Sequence, residues 1–256
     1  MANSQPRILF YDIETSLQLA AIFQLAHNDW ISPESLVSER YVICAAWKWE
    51  GESKIHTSSV LDDPKRYKRD PHDDLHVVKT LHSVLSEADV IIAHNGDSFD
   101  KRYIDTRILV HGLNPLPPIA SVDTYKVAKS KFYLNSNKLD YIGKLLKVGQ
   151  KVKTTPGLWM RVLNGEAAAV KEMVDYNKQD VVLLEKVYNK LKPYAQPPNL
   201  ELFGREGCPR CGSKKIQARG IHKAITKIYQ RWQCQGCSGW FRTLKAEQGS
   251  TEFRLV

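Results

Sequence analysis

The segment Arg7–Glu14 constrains this chain most. It is a short run of strand-forming apolar residues that closes on two carboxylates, Asp12 and Glu14. Residues two apart on a strand point to the same face, so these carboxylates stand side by side while Ile13 turns into the core. Paired carboxylates at the end of an apolar strand repel each other, and a divalent cation relieves that repulsion.

Further along, Tyr41–Trp49 and Lys54–Ser58 read as two more strands, parted by a Glu50-Gly51-Glu52 turn. They predict a three-strand meander with an excursion at Ser16–Arg40. Asp73–Ala88 carries apolar residues at helical spacing, and Asp89–Ala93 is a buried strand. Asp97–His111 reads as a helix closed by Gly112. Beyond Pro118 the chain turns largely helical, with candidates at Leu139–Lys147, Ala167–Gln179 and Val181–Leu191. Strands first, one strand between helices, then helices: the expected class is α/β, a mixed sheet flanked by helices.

Two more motifs follow the first carboxylate pair. Asn95-Gly96-Asp97-Ser98-Phe99-Asp100 comes directly after a strand and puts Asp100 on the first turn of a helix, where α/β folds place ligand sites. In Tyr176-Asn177-Lys178-Gln179-Asp180, positions i and i+4 share a helix face, so the phenol and the carboxylate are neighbours. Four carboxylates and a phenol suit two hard cations, Mg²⁺ or Mn²⁺, which take oxygen ligands. Two such ions about 4 Å apart can clamp a phosphoryl group and acidify a water.

In order and composition these motifs resemble those of the DEDD superfamily of 3′→5′ exonucleases, in its tyrosine-containing branch, and most of all the proofreading domain of family B DNA polymerases. Asn137–Gly143 resembles a segment those domains carry before the third motif. The resemblance spans roughly residues 7–192 and implies an RNase H-like fold that releases nucleoside monophosphates from a 3′ end, with single-stranded DNA favoured over RNA. By the same resemblance, Asp12 bridges both metals, and Glu14 and Asp180 hold the ion that activates water. Asp100 supports the second ion, and Tyr176 positions the nucleophile. Thr15, Asn95 and Phe99 fall at substrate-binding positions.

Cys208-x-x-Cys211 and Cys234-x-x-Cys237 are two knuckles at tetrahedral zinc spacing. With Gly212 and Gly236 at the turns and strands expected at Lys215–Arg219 and Lys227–Gln233, they predict a small zinc ribbon with one structural Zn²⁺. So small a segment has too little core to be secure alone, and the metal supplies folding energy. The net charge of +9 is concentrated here: residues 201–256 hold eleven Lys and Arg against four Asp and Glu. That excess points to nucleic acid as partner, with Tyr229, Trp232, Trp240 and Phe241 available for stacking. The expected organisation is a nuclease domain at 1–192, a Pro-rich linker at 193–204 and the ribbon at 205–256.

The remaining features read as structural. Cys44 and Trp159 are expected in the core, His94 as a hydrogen-bonded structural histidine, and the mixed-charge run Asp62–Asp74 as a solvated loop. Met1–Pro6 lacks the features of a signal peptide, no segment is apolar enough for a membrane span, and cysteines at metal spacing fit a reducing, cytoplasmic setting. Two other readings remain open. One is a non-catalytic nucleic-acid adaptor that works through the ribbon; the other is an RNase H-fold endonuclease or transposase-like enzyme.

Overall fold

The structure is a computed structural model that describes residues 6–22, 31–196, 207–224 and 227–249. Met1–Gln5, part of the Ser16–Arg40 excursion, and Pro197 and Pro198 of the linker lie outside the described residues.

β1 (Ile8–Thr15) opens the chain. Within the excursion, β2 (Leu19–Ala20) and β3 (Leu36–Ser38) form a small antiparallel pair. β4 (Val42–Trp49) and β5 (His56–Ser59) follow. Next come α1 (Pro64–Arg69), α2 (Leu75–Ser86), β6 (Val90–Ala93) and α3 (Asp100–Val110). β7 (Ala120–Asp123) leads into α4 (Thr124–Lys131), α5 (Leu139–Leu145), α6 (Leu158–Leu163) and α7 (Ala167–Leu191). The C-terminal part is β8 (Ile216–Lys223), β9 (Lys227–Cys234), β10 (Trp240–Arg242) and β11 (Gln248–Gly249).

The main sheet runs β5-β4-β1-β6-β7. The β1–β4 and β4–β5 pairs are antiparallel, as the meander predicts, while β1–β6 and β6–β7 are parallel. This is the mixed sheet flanked by helices that the order of elements implies.

Alternation along β1 sorts its side chains onto two cores. Leu9, Tyr11 and Ile13 pack with Val77, Leu81, Ile104 and Ile108 from α2 and α3. Ile8 and Phe10 pack with Val181, Leu184, Val187 and Tyr188 of α7, the Phe10 and Tyr188 rings meeting edge-on at 5.5 Å. Asp12 and Glu14 therefore continue the α7 side, where the apolar filling stops and α7 brings up its polar motif.

The structure corrects three local expectations. The two helices expected at Ala167–Gln179 and Val181–Leu191 are one helix of 25 residues, because nothing at Asp180 breaks it. β7 was not expected, since a four-residue edge strand with two buried residues shows no useful periodicity. The run Asp62–Asp74 is solvated over most of its length, as expected, but it is not simply a loop: α1 lies within it and Asp74 ends it in the interior. Asp62 closes a capping box with Ser59, Asp63 caps α1, and Asp74 is completely buried. Asp74 accepts two hydrogen bonds from Arg107 at 2.8 and 2.7 Å and one from the Val42 amide at 2.9 Å. Most of the run is exposed or half-buried, and Asp74 alone is internal because donors on neighbouring elements hold its charge. Ala195 is also buried in the α7-side core, three residues beyond Lys192.

In the ribbon, β8, β9, β10 and β11 form a separate antiparallel sheet around β9. No helix among the described residues is long and apolar enough to cross a membrane.

Candidate active site and metal centres

β1 extends past its parallel neighbour. Its ladder with β6 covers Ile8–Phe10 only. Beyond that point the exposed edge of β1 is met by a side chain: Asp100, the first residue of α3, accepts the Ile13 amide at 3.2 Å. A carboxylate thus replaces the missing strand, beside the two that β1 itself presents.

The approach to Asp100 depends on a tight turn. Asn95 is left-handed at φ 66°, and a Cβ at Gly96 would fall 2.4 Å from the Ala93 Cβ. Asp123, at the end of β7, holds this turn by accepting the amides of Asn95 at 2.8 Å and Asp97 at 3.3 Å. It also caps α4. Asp123 lies outside the three motifs, and its one local signal is an N-cap aspartate directly before a helix.

α7 supplies the other wall. One oxygen each of Asp12, Glu14 and Asp180 lies within 4.8 Å of the others. Asp180 is buried, and its Oδ1 has no hydrogen-bond partner. Asn177, also buried, donates its side-chain amide to Asp12 at 2.6 Å. Lys151 Nζ sits 2.5 Å from an Asp180 oxygen and 3.2 Å from the Tyr176 hydroxyl. Asp140 on α5 sets that lysine by accepting its backbone amide at 2.8 Å. α5 packs close to α7 because residue 143 is glycine: a Cβ there would meet Leu183 Cδ1 at 2.8 Å and the Gly149 carbonyl oxygen at 2.7 Å. Asn177, Lys151 and Asp140 escaped the sequence reading; Asp140 and Gly143 lie in a segment singled out for resemblance alone.

The electrostatics are those of a crowded acidic cluster. Burial, then the charges of Asp180 and Asp100, raise the Glu14 pKa to about 8, against partial relief from Lys151. Burial and Asp123 raise Asp100 to about 7, although the Ile13 amide pulls the other way. Asp12 and Asp180 are raised too, chiefly by burial. Groups held above their ordinary range by desolvation and mutual repulsion are those that a cation would return to the ionised form. The oxygen-only donor set and the unpartnered Asp180 oxygen fit a hard divalent ion.

Among the substrate-position candidates, Asn95 borders a cavity of about 450 Å³ together with His94, Tyr125, Lys138, Leu139, Asp140 and Lys151. Thr15 is buried at a bulge ending β1, and Phe99 packs on the core with its ring stacked on Tyr103. His94 is held at both nitrogens, by Thr124 and by the Asn137 carbonyl. Trp159 packs on the core and meets the Tyr176 ring at 6.3 Å. Cys44 is fully buried, opposite Glu14 in register.

The second centre is simpler. The sulfurs of Cys208, Cys211, Cys234 and Cys237 all lie within 4.8 Å of one another, with Cys208–Cys237 at 3.8 Å and Cys211–Cys234 at 3.6 Å. A tetrahedron with Zn–S of ~2.3 Å has edges of ~3.8 Å. The Gly236 and Cys237 amides donate to Cys234 Sγ at 3.3 and 3.5 Å. Burial pushes that thiol up, but these amides together with the Cys211 and Cys208 thiols outweigh it and bring it down to about 7. The four cysteines fit a closed Zn²⁺ site.

Comparison with known proteins identifies the fold of the sheet and helices that carry the site. A family model described as the RNase H superfamily matches residues 46–192. No curated protein matches the chain. Among solved structures, the family B DNA polymerase from the hyperthermophilic archaeon Pyrobaculum calidifontis aligns with a TM-score of 0.54 at 17% identity. The alignment covers 80% of this chain and 26% of that polymerase, a likeness of fold to about a quarter of a longer protein. The family match starts after Asp12 and Glu14, but it takes in Asp100, Tyr176 and Asp180 and more than half of the chain. This chain belongs to the RNase H superfamily.

Proposed function

We propose that the chain is a divalent-metal-dependent 3′→5′ exonuclease that trims single-stranded DNA and releases nucleoside monophosphates. The observation that carries this reading is the convergence of Asp12, Glu14 and Asp180, with Asp100 anchored to the same strand and Tyr176 one turn before Asp180.

Asp12, Glu14, Asp100 and Asp180 would hold the cations. When bound, these supply positive charge that polarises the scissile phosphate and lowers the pKa of water. Tyr176, whose hydroxyl is held protonated by burial and by Asp180, orients the attacking water by hydrogen bonding. Asn177 fixes the Asp12 carboxylate by donating to one of its oxygens. Lys151 brings an ammonium group to the same place, where a phosphate oxygen can accept from it. The 3′ polarity rests on the resemblance of the three motifs to those of DEDD exonucleases, and the fold shared with a DNA polymerase supports DNA as substrate.

The proposed organisation is a nuclease domain at 1–192, a linker at 193–204 and a zinc-stabilised ribbon at 205–256 that adds affinity for nucleic acid. Thiolate ligation of zinc favours a reducing, cytoplasmic setting.

The test is timed digestion of 5′-labelled single-stranded DNA with Mg²⁺, with Mn²⁺ and with chelator. The expected result is a metal-dependent ladder that shortens one nucleotide at a time and disappears in Asp12→Ala. Intact substrate with folded, zinc-loaded protein would instead favour an adaptor, and cleavage of closed circular DNA an endonuclease.

A further inference from the structure

We propose that one face of the ribbon, carrying Tyr229, Arg231, Trp240 and Arg242, is a docking surface for single-stranded nucleic acid, with bases stacked on the rings and phosphates on the guanidinium groups. The proposal rests on the nuclease reading for the class of ligand, but not for the site.

Register decides which side chains share this face. Trp240 pairs with Gln233, Phe241 with Trp232 and Arg242 with Arg231. Side chains alternate along a strand, and directly opposed residues share a face. Tyr229, Arg231 and Gln233 of β9 therefore lie with Trp240 and Arg242 of β10. Trp232 and Phe241 lie on the reverse, where with Ile216 and Leu244 they line a cavity of about 460 Å³ that Arg242 also borders. Of the four rings that composition offered for stacking, two thus lie on the opposite face, half-buried around that cavity.

The two remaining rings each carry a guanidinium group. Arg242 lies 3.7 Å from the Tyr229 ring centre and Arg231 lies 5.0 Å from that of Trp240. Arg231 is oriented by donating to the Arg219 carbonyl at 3.0 Å. Both arginines are exposed, and Trp240 keeps 45% of its surface open. Arg–aromatic pairs of this kind hold cation and ring together for a ligand that offers both π-faces and phosphates.

A second observation points to an anionic ligand. Arg231 and Arg242 are direct cross-strand partners. Like charges placed opposite each other destabilise a sheet, and a polyanion across the pair removes that penalty. No nearby carboxylate does so: Glu247 is the one acidic residue among the described residues of 207–249.

The rings choose the strandedness. A duplex hides its base faces in the stack, whereas a single strand presents them. An acidic peptide would answer the charge but not the rings.

The experiment measures anisotropy of a labelled 20-nucleotide oligothymidylate, a 20-base-pair duplex and polyglutamate. It uses the full chain, zinc-loaded, with no added Mg²⁺ or Mn²⁺. Tyr229→Ala/Trp240→Ala is expected to weaken oligothymidylate binding at least tenfold and duplex binding far less. Arg231→Gln/Arg242→Gln is expected to weaken both and to reduce the oligothymidylate salt slope by about 1.4, at ~0.7 per lost phosphate contact. Zinc content checks each fold, and if the ring variant loses zinc the arginine variant decides. Unchanged oligothymidylate affinity in zinc-loaded variants overturns the proposal, as does equal weakening of duplex and single strand by the ring variant, or polyglutamate binding as tight as oligothymidylate. Loss of binding in these variants alongside absent hydrolysis in the wild type overturns the nuclease reading and leaves this surface standing.

Discussion

Lys151 places its Nζ 2.5 Å from a carboxylate oxygen of Asp180, the one ion pair made to the four acidic site residues among the described residues. This ammonium group stands at the carboxylate that a metal would need. Lys151→Met is therefore expected to lower, severalfold, the Mg²⁺ concentration that gives half-maximal thermal protection. The titration belongs at pH 9, above the values to which burial and repulsion push Glu14 and Asp100, because Lys151 also lowers those values and its loss would otherwise leave the carboxylates more protonated. An unchanged or higher requirement would show that Lys151 does not compete.

Metal-free stability should fall as pH rises from about 6 to about 8. Glu14 and Asp100 have folded pKa values near 8 and 7, above their ordinary values of 4.5 and 3.8. Their protonated forms are favoured by folding, so the stabilisation is complete below the ordinary values and is lost as pH climbs through the raised ones. Added Mg²⁺ should flatten this slope. Melting temperatures with and without Mg²⁺ across this range check it, and a metal-free melting temperature that rises with pH would count against the buried acidic cluster.

Tyr176→Phe keeps the ring against Trp159 and removes only the hydroxyl. Hydrolysis should slow by up to about 100-fold, the scale of a misoriented nucleophile, with thermal protection by Mg²⁺ unchanged. Single-turnover rates distinguish this from a fold defect. A variant as fast as wild type would remove Tyr176 from the chemistry.

Arg107→Met should cost about 3–5 kcal/mol of folding stability, because Asp74, at zero exposure, would lose both hydrogen bonds from its guanidinium partner and keep only the Val42 amide and His111 beside it. Urea denaturation measures this. Adding Asp74→Asn to that variant should recover part of the loss, and failure to recover any would place the cost elsewhere, in the packing of the Arg107 stem.

Cys211→Ser should lower bound zinc from one per chain to none and abolish amide protection in β8 and β9. Amides of β1, β4 and β6 should stay protected, since among the described residues the two cores around them contain no ribbon residue. Hydrogen exchange read by mass spectrometry tests both halves. Protection lost throughout would mean that the two parts fold as one.

Much of this molecule is set by local pattern. The alternation in Arg7–Glu14 puts Asp12 and Glu14 on one face whatever surrounds them, helical spacing joins Tyr176 to Asp180, and the two knuckles bring four thiols together around short turns. These features were legible because each depends on residues within a few positions of one another. Asn177, by contrast, meets Asp12 across 165 residues, Lys151 reaches Asp180 across 29, and Arg107 covers Asp74 across 33. Nothing in the residues flanking Lys151 tells it from any other loop lysine, and Asp74 looks like one more charge in a polar run. Only when β6 stops short of Ile13 does β1 have an open edge for Asp100 to fill. Only the register of β9 against β10 separates Tyr229 and Trp240 from Trp232 and Phe241. Sequence by itself determined which groups could do chemistry, because backbone period is local. Tertiary structure decided which of them meet and at what charge, because burial and pairing depend on chain segments that are distant until the sheet closes.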